Sequence, residues 1–327
     1  MVNASATSAS EPDFRDSIPR TVKDLVAGSV AGIVQVLVGQ PFDTIKVRLQ
    51  GQSAANPIYK GPADAFMKTY KQEGAAAFYK GTLTPLIGIG ACVSIQFFAN
   101  EYMKRFFTNR NLTSIPPSER SATKPPPLTT VQLLISGAAS GIANSVLSAP
   151  VEHIRIRLQV QTTEADAIAT GRTFYKGPVD AIRRIYAERG IAGVWKGQGV
   201  TVAREILAYS AYFVTYESLV QRYMEREGIT DRTKLPMAKA MGYGAVAGFG
   251  FWIACFPVDV IKSKIQLDHL DPAKRLYRSS WHCLTHTFRA EGVPGLFRGF
   301  VPCMLRAAPV NSFTFAAFEI AMNLLGR

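Results

Sequence analysis

The sequence predicts an all-α membrane protein: six transmembrane helices as three pseudo-symmetric repeats of two helices each, with short amphipathic linker helices. Two observations predict this class. One motif recurs three times at a period of about a hundred residues, and long stretches of the chain carry almost no charge. The composition agrees with both, since 47% of the 327 residues are hydrophobic and only 19% are charged.

The recurring motif is a pair of glycines followed by a proline, an acid and a base. In every copy the glycines lie 13 and 9 residues before the proline, and a glutamine lies nine residues after it. The glycines and prolines are Gly28, Gly32 and Pro41; Gly137, Gly141 and Pro150; and Gly244, Gly248 and Pro257. Because the offsets are the same, the chain consists of three copies of one unit.

Each copy contains two candidate spans that approach the roughly 20 residues needed to cross about 30 Å of hydrocarbon. Four of the spans carry little or no charge, and the other two carry a few embedded charges. In chain order the six lie within 22–38, 82–100, 133–151, 200–216, 240–258 and 300–318.

The spans divide the chain into repeats 21–112, 129–226 and 227–327. Residues 1–20 are rich in Ser and Ala and predict a disordered tail. They make a poor presequence, because they contain three acids and transit peptides are short of acids. Residues 113–128 hold a run of prolines and predict a polar connector.

The distribution of bases predicts how the spans are oriented. The three linkers hold 15 Lys and Arg, and the segments at the other ends of the spans hold 8, counted over 51–81, 160–197 and 267–299 against 1–21, 108–128 and 223–236. By the positive-inside tendency, the linkers face the more negative compartment and both termini lie opposite. The net charge of +13 does not indicate nucleic-acid binding, because the bases are not gathered on one face with interleaved aromatics.

Each proline-acid-base cassette combines a helix kink with a charge pair. Three prolines at one depth kink three helices and predict that the helix ends converge, and the glycine pairs predict close approach of helix backbones. Acid and base share one helical face, so they can pair within a helix or around a ring of three helices. The glutamines could brace those pairs. The acids, bases and glutamines are Asp43, Lys46 and Gln50; Glu152, Arg155 and Gln159; and Asp259, Lys262 and Gln266.

The second spans contain a level at which the three copies differ. Gly88, Arg204 and Arg306 each lie seven residues after a glycine that precedes the span. An intramembrane arginine indicates a functional site, because burying its charge without a partner costs several kcal/mol. An ion pair from either arginine to Glu205 that only locks helices is the alternative.

We expect a solute site at this level. Arg306 would clamp a carboxylate, while Arg204 and Glu205 would meet a second charged group. Gly88, Cys92 and Gln96 would form the wall contributed by the second span of the first repeat. Two cations against one anion fit an α-amino acid or another zwitterionic carboxylate, whereas a nucleotide would require more bases.

Other motifs predict no chemistry. His282, Cys283 and His286 lack a fourth metal ligand, and the four cysteines form no CxxC pair. No nucleophile-base arrangement or phosphate-binding glycine loop is present. We therefore expect no enzymatic activity and no metal.

The chain resembles the mitochondrial carrier family, the three-repeat solute carriers of the inner mitochondrial membrane. The cassettes match the first half of the family signature, Pro-x-acid-x-x-base-x-base. Its second half, acid-Gly and then aromatic-base-Gly, stands as Glu73-Gly74 with Tyr79-Lys80-Gly81, Arg189-Gly190 with Trp195-Lys196-Gly197, and Glu291-Gly292 with Phe297-Arg298-Gly299. Arg189 departs from the expected acid, and Glu188 beside it is a candidate substitute.

The resemblance implies two gates and a lipid site. Asp43 would pair with Arg155, Glu152 with Lys262 and Asp259 with Lys46, which together close a matrix gate. The cytosolic gate is sparse, because only Lys104 accompanies the acids Glu101, Glu217 and Glu319. Gly81, Gly197 and Gly299 would bind cardiolipin, since free amides at a helix N-terminus attract phosphate; a plain helix cap explains them equally well.

The Arg-acid pair with Arg306 resembles the amino-acid and carnitine branch of the family, and fungal glutamate-type carriers within it. This implies a monomer in the inner mitochondrial membrane that exchanges an amino acid or similar zwitterionic carboxylate. Its termini would lie in the intermembrane space, and it would need no cofactor beyond structural cardiolipin. The alternatives are a carnitine/acylcarnitine carrier and a non-transporting membrane enzyme or scaffold.

Overall fold

A computed structural model of the protein describes residues 19–52, 57–113, 128–162, 173–228 and 235–326. These residues form helices and turns, with no strand among them. The helices are α1 (Arg20–Gly51), α2 (Pro62–Glu73), α3 (Leu83–Thr113), α4 (Thr130–Val160), α5 (Pro178–Val194), α6 (Gln198–Glu227), α7 (Met237–Leu267), α8 (Ser280–Leu296) and α9 (Phe300–Leu324). The order long, short, long occurs three times, which confirms the predicted repeats of two spans and a linker helix. Most of the predicted tail and connector lies outside the described residues.

The long helices differ in how apolar they are. Three are long and apolar enough to cross a membrane, over Val22–Gly51, Val131–Val160 and Lys239–Leu267. A fourth is obtained if 75–88 and 90–113, bent by 44° to each other, count as one span. Helices α6 and α9 fall short because they carry the charges of the predicted solute level, and Arg204 and Glu205 of α6 are buried in the protein. They complete the six spans of the fold.

Large apolar side chains cover the outside of the long helices. Leu25, Ile87, Phe98 and Phe315 are all more than two-thirds exposed, and they lie on α1, α3 and α9. A soluble monomer seldom exposes this much apolar surface. In a bilayer such side chains contact lipid tails, so this exposure agrees with the membrane class.

The six long helices close into a ring through contacts between successive repeats. Helix α3 packs along α4, α6 along α7, and α9 returns to pack along α1. The Lys23 side chain, near the start of α1, donates a hydrogen bond to the Gly326 carbonyl after α9. The first and last repeats are therefore neighbours.

The proline-bearing helices converge, as the sequence predicted. Pro41, Pro150 and Pro257 lie inside α1, α4 and α7, and these three helices contact one another pairwise. The linker helices pack against the ends of the same helices, for example Ala65 of α2 in a cluster with Ile45 of α1. The buried core thus lies at the linker end, where it positions the cassettes.

The glycine pairs do not join helix backbones, so that prediction is wrong. A Cβ atom added at Gly28, Gly32 or Gly248 would meet no atom within 4 Å, and one added at Gly137, Gly141 or Gly244 would meet only side-chain atoms at 3.6 Å or more. On α1 the fully or nearly buried small residues are Ala27 and Ala31, one position before each glycine. The packed face of α1 is therefore rotated away from the glycines.

Candidate functional site

The three cassettes pair with one another around a ring at the linker end. Arg155 Nη2 lies 2.7 Å from Asp43 Oδ2, Lys46 Nζ lies 2.6 Å from Asp259 Oδ2, and Lys262 pairs with Glu152. Each pair joins two different helices, as the resemblance implied, rather than two positions of one helix. Together they bridge α1, α4 and α7 across the centre of the ring.

The predicted glutamine braces are realised in one repeat. Gln50 Nε2 lies 3.4 Å from Asp259 Oδ2, one of the paired carboxylate oxygens. Gln159 instead donates to the Thr44 hydroxyl at 3.4 Å, because its side chain lies against α1 beside that residue. Gln266 lies against Gly197, and within the described residues neither polar atom of its side chain has a hydrogen-bond partner. Two of the three braces are therefore absent from this conformation.

Two features that support the ring were missed in the sequence. The fully buried Gln40 accepts from Arg155 Nη2 at 2.5 Å and donates to the Lys80 carbonyl at 3.0 Å. Lys46 Nζ lies 5.1 Å from the centre of the Trp252 ring, within cation–π range. An amide in the middle of an apolar span was a signal for Gln40, whereas the contact with Trp252 depends on how α1 meets α7.

Arg306 reaches the ring from α9. Its Nε lies 3.3 Å from Asp43 Oδ1, while Arg155 holds the other oxygen of the same carboxylate. Gly39 makes room for this arginine, since a Cβ atom there would lie 2.7 Å from Arg306 Nε. The predicted carboxylate clamp thus already faces a carboxylate of the protein.

Arg204 and Glu205 form the ion pair that the sequence left as the alternative to a solute site. The two residues are adjacent on α6, so the pair cannot lock two helices together. Arg204 Nε also lies 3.9 Å from Asp259 Oδ1, a carboxylate of the ring on α7. Both arginines of the predicted solute level therefore lie next to a ring acid.

The predicted wall from α3 is only partly open. A Cβ atom at Gly88 would lie 2.9 Å from a Val151 methyl carbon, so Gly88 lies where α3 packs tightly against α4. Cys92 is half-buried, and Gln96 Nε2 lies 3.5 Å from the Tyr209 hydroxyl. Tyr209 is one helical turn after Glu205 on α6, a spacing from which the sequence could have identified it.

At the other end of the long helices, two of the acids have a contact with a residue of their own helix. Glu101 pairs with Lys104 on α3 at 3.2 Å, and both side chains are exposed. Glu217 accepts from Gln221 on α6 at 3.2 Å, and Glu319 lies on α9. These contacts differ from the interhelical pairs of the ring. The expectation of a sparse second gate stays a prediction.

The second half of the signature builds a charged corner beside each linker helix. In the first repeat Glu73 pairs with Arg48 and, at 2.6 Å, with Lys80. In the third repeat Glu291 pairs with Lys264 at 2.6 Å and with Arg298 at 2.8 Å.

Among the described residues of the second repeat, Arg189 takes the position that Glu73 and Glu291 have in the other two. Glu188 is exposed and forms no ion pair with Lys196 in the described part of the chain, so its role as the substitute stays a prediction.

The glycines that precede α3, α6 and α9 have left-handed backbones, with φ of 80° at Gly81, 85° at Gly197 and 87° at Gly299. They also allow close packing, since a Cβ atom at Gly299 would lie 3.0 Å from the Lys46 carbonyl oxygen. A cavity of about 340 Å³ lies between residues 59–62, at the start of α2, and residues 297–301, at the start of α9. Two helix N-termini therefore border one cavity near Lys60 and Arg298.

A ring of six long helices in three repeats, with ion pairs across one end and arginines beside them, defines the class of helical solute carriers. The family model described as mitochondrial carrier protein matches residues 19–111, 126–227 and 233–327. The chain belongs to this family, whose members are multi-pass transporters of the inner mitochondrial membrane.

Curated relatives cover nearly the whole chain. The glutamate/glycine mitochondrial carrier ymc1 of Schizosaccharomyces pombe is 46% identical over 93% of this chain and 94% of its own length. The mitochondrial glycine transporter YMC1 of Saccharomyces cerevisiae is 43% identical over 94% and 92%. A mitochondrial carnitine/acylcarnitine carrier-like protein of Arabidopsis thaliana is 36% identical over 93% and 98%.

Proposed function

We propose that the protein exchanges an amino acid or a similar zwitterionic carboxylate across the inner mitochondrial membrane by alternating access. The observation that carries this proposal is the position of Arg306, 3.3 Å from Asp43 and within reach of the central path. The fungal relatives support the solute class, since their names specify glutamate and glycine. Glycine and glutamate are therefore the first solutes to examine.

The arrangement suggests how a solute would bind. A carboxylate entering from the end opposite the linkers can form a bidentate pair with the Arg306 guanidinium, in competition with Asp43. An amino group can approach Glu205, whose charge is otherwise shared with Arg204. Gln96 and Tyr209 lie near enough to each other to hydrogen-bond a polar solute between α3 and α6.

Binding and gating would then be coupled through shared carboxylates. A solute that occupies Arg306 or Arg204 withdraws a cation from Asp43 or Asp259, both members of the ion-pair ring. The two accessible states of a carrier differ by only a few kcal/mol, so a small change in these pairs can shift their populations. In this conformation the ring is formed, which corresponds to closure at the linker end.

Orientation and lipid binding complete the proposal. The linkers, which hold 15 Lys and Arg against 8 in the segments at the other ends of the spans, face the matrix, and the termini face the intermembrane space. The carrier works as a monomer with cardiolipin bound at the helix N-termini that follow Gly81, Gly197 and Gly299. The cavity between α2 and α9 supports this, because helix N-termini attract phosphate and Lys60 and Arg298 add positive charge.

Uptake into liposomes tests the proposed function. Purified protein is reconstituted with unlabelled glycine, glutamate or a carnitine ester inside, and uptake of each radiolabelled solute is followed. We expect counter-exchange of an amino acid, lost in Arg306→Ala and unchanged in Arg183→Ala, an exposed arginine on α5. Exchange of carnitine esters alone would favour the carnitine carrier, and absence of uptake for every solute would contradict transport of this class.

A further inference from the structure

Helix α4 carries polar side chains that continue from the ion-pair ring along the helix. Asn144 and Ser148 lie two turns and one turn before the ring acid Glu152. Successive residues of an α-helix differ by about 100° around its axis, so steps of four keep the three side chains within about a quarter of the circumference. We call Asn144 and Ser148 the polar strip. It lies on the same side of α4 as the ring acid.

The contacts of α4 on either side of the polar strip show which way it faces. On one side, the Ser140 hydroxyl donates to the Gln96 carbonyl of α3 at 2.8 Å. On the other side, a Cβ atom at Gly141 would lie 3.7 Å from Glu205 Cβ and 3.6 Å from a ring carbon of Tyr209, both on α6. By the same helix geometry, the polar strip lies between these two contacts. Because the ring acid on this face pairs across the centre with α7, the polar strip faces the central path.

The repeats place the polar strip at the depth of the predicted solute level. Ser148 precedes the proline of its cassette by two residues, as Gly39 does in the first repeat and Cys255 in the third. Gly39 lies against the Arg306 guanidinium, so Ser148 lies at about the depth of this arginine. Asn144 lies one turn farther from the ring. At this depth, the second repeat has a hydroxyl where the others have a glycine and a thiol.

Both residues of the polar strip have a buried polar atom that is not hydrogen-bonded. Asn144 Oδ1 and Ser148 Oγ have no hydrogen-bond partner within the described residues. The other serines of α4 behave differently, since Ser136, Ser140 and Ser145 each donate to a carbonyl oxygen at 2.7–2.8 Å. A buried polar atom without a partner lowers stability. On the face of a solute path, its presence indicates that a ligand makes the missing hydrogen bond.

We propose that Asn144 and Ser148 bind the exchanged amino acid directly and that Asn144 recognises its ammonium group. This inference rests on the proposed function, in which Arg306 binds the solute carboxylate. Asn144 Oδ1 and the carboxylate of Glu205 each accept an N–H of a primary ammonium group. The Ser148 hydroxyl, at the depth of Arg306, donates to the carboxylate. The two residues are about 6 Å apart along α4, a spacing that a small zwitterion can span.

A quaternary ammonium group cannot make the bond to Asn144. The nitrogen of carnitine and its esters carries only carbon substituents, so it offers no N–H to Asn144 Oδ1. A site built to hydrogen-bond a polar group of its substrate strongly rejects an analogue that lacks this group, because the polar atoms of the site then remain unpaired. The polar strip therefore selects an amino acid over the carnitine esters of the alternative function.

Competition by N-methylated solutes tests this inference in the liposome exchange assay. The exchanged amino acid competes with its N-methyl, N,N-dimethyl and N,N,N-trimethyl forms, which keep the carboxylate and lose N–H donors stepwise. For the wild type we expect competition to weaken with each added methyl group. Asn144→Leu should raise the KM for the amino acid about tenfold or more, since a hydrogen bond to a charged group is lost. Its competition by the trimethyl form should change little, so the preference for the amino acid shrinks.

Matched variants control for the substitutions themselves. Asn109→Leu makes the same change at an exposed position near the end of α3 and should exchange like the wild type. Ser148→Ala should weaken binding of all the methylated forms about equally, because it removes a bond to the carboxylate that they share. Ser136→Ala removes a hydroxyl that bonds within its own helix, and it should leave exchange unchanged.

Thermal unfolding distinguishes a solute-binding role from a structural one. Without solute, Asn144→Leu should unfold at a temperature no lower than the wild type, since it removes an unpaired buried atom. With the amino acid added, its unfolding temperature should rise less than that of the wild type. A structural asparagine would instead lose stability without solute. Should Asn144→Leu fail to fold, Asn144→Ala takes its place in both assays.

The inference is overturned if the Asn144 variants keep the wild-type KM and the wild-type preference among the methylated forms. It is also overturned if the wild type accepts the trimethyl form as readily as the amino acid, although amino-acid exchange itself would then stand. Absence of exchange by the wild type for every solute would contradict the proposed function, and this inference with it.

Discussion

The contact between Gly39 and Arg306 gives the sharpest test of the proposed solute site. In Gly39→Ala the new Cβ atom would lie 2.7 Å from Nε and 3.1 Å from Nη2 of Arg306. Ordinary contact at such atoms requires about 3.4 Å or more, so the guanidinium must move by somewhat less than 1 Å. The backbone need not move, because the end of an arginine side chain is flexible.

That displacement should impair transport without unfolding the protein. A misplacement of about 1 Å at a binding group can cost up to roughly a hundredfold, so for this smaller shift we expect kcat/KM for amino-acid exchange to fall about tenfold. Gly32→Ala is the matched control, since it lies on the same helix with nothing within 4 Å of its added Cβ atom. Both variants should gain the same few tenths of a kcal/mol or more from helix propensity.

The assay is counter-exchange of radiolabelled glycine or glutamate in liposomes, with thermal unfolding measured on the same preparations. Equal exchange by Gly39→Ala and Gly32→Ala would refute the reasoning, because it would mean that the position of Arg306 does not matter for the solute. A loss of exchange accompanied by a large drop in unfolding temperature would show that Gly39 is needed for folding instead.

Three further predictions concern the ring, Lys196 and the lipid site. Neutralising the ring acids Asp43, Glu152 and Asp259 one at a time should reduce exchange more than neutralising Glu101, Glu217 and Glu319, and equal losses would contradict the sparse second gate. The unfolded chain binds a proton at Lys196 up to its usual pKa near 10.5, whereas the folded protein releases it at about 7. The free energy of unfolding should therefore rise with pH from about 7 upwards. Thermal unfolding measured at several pH values should show that Lys196→Met abolishes this rise. Gly299→Ala and Gly228→Ala both place alanine in a left-handed backbone, at a cost of about 1–2 kcal/mol in the free energy of unfolding. Only Gly299 lies at a proposed cardiolipin site, and its added Cβ atom would push against Lys46. Only Gly299→Ala should therefore also lose stabilisation by cardiolipin.

Much of the fold follows from local patterns that the chain repeats. Uncharged stretches of sufficient length are typical of membrane spans, and prolines at equal offsets lie at the same depth in three helices. Three acids and three bases around one ring can pair in only a few ways. The resemblance to the family then implied which base pairs with each of Asp43, Glu152 and Asp259. The glycine pairs were misjudged because spacing does not specify which face of a helix is packed. On α1, Ala27 and Ala31, one position before each glycine, are buried instead.

The sequence by itself determined that three copies of one unit form a membrane carrier, and it identified the arginines that break the symmetry between the copies. The sequence assigned those arginines to a solute site apart from the gate. Positions along a helix indicate depth in the membrane, but they do not show which residues of other helices lie opposite. Only the tertiary structure decided that Arg306 reaches Asp43 and that Arg204 lies near Asp259. It also showed that Arg189 of the second repeat and Arg275 of the third donate to the same carbonyl oxygen, that of Leu270. The physical reason is the same in each case: the partner of a charge belongs to another repeat, and the distance to it depends on how the helices meet.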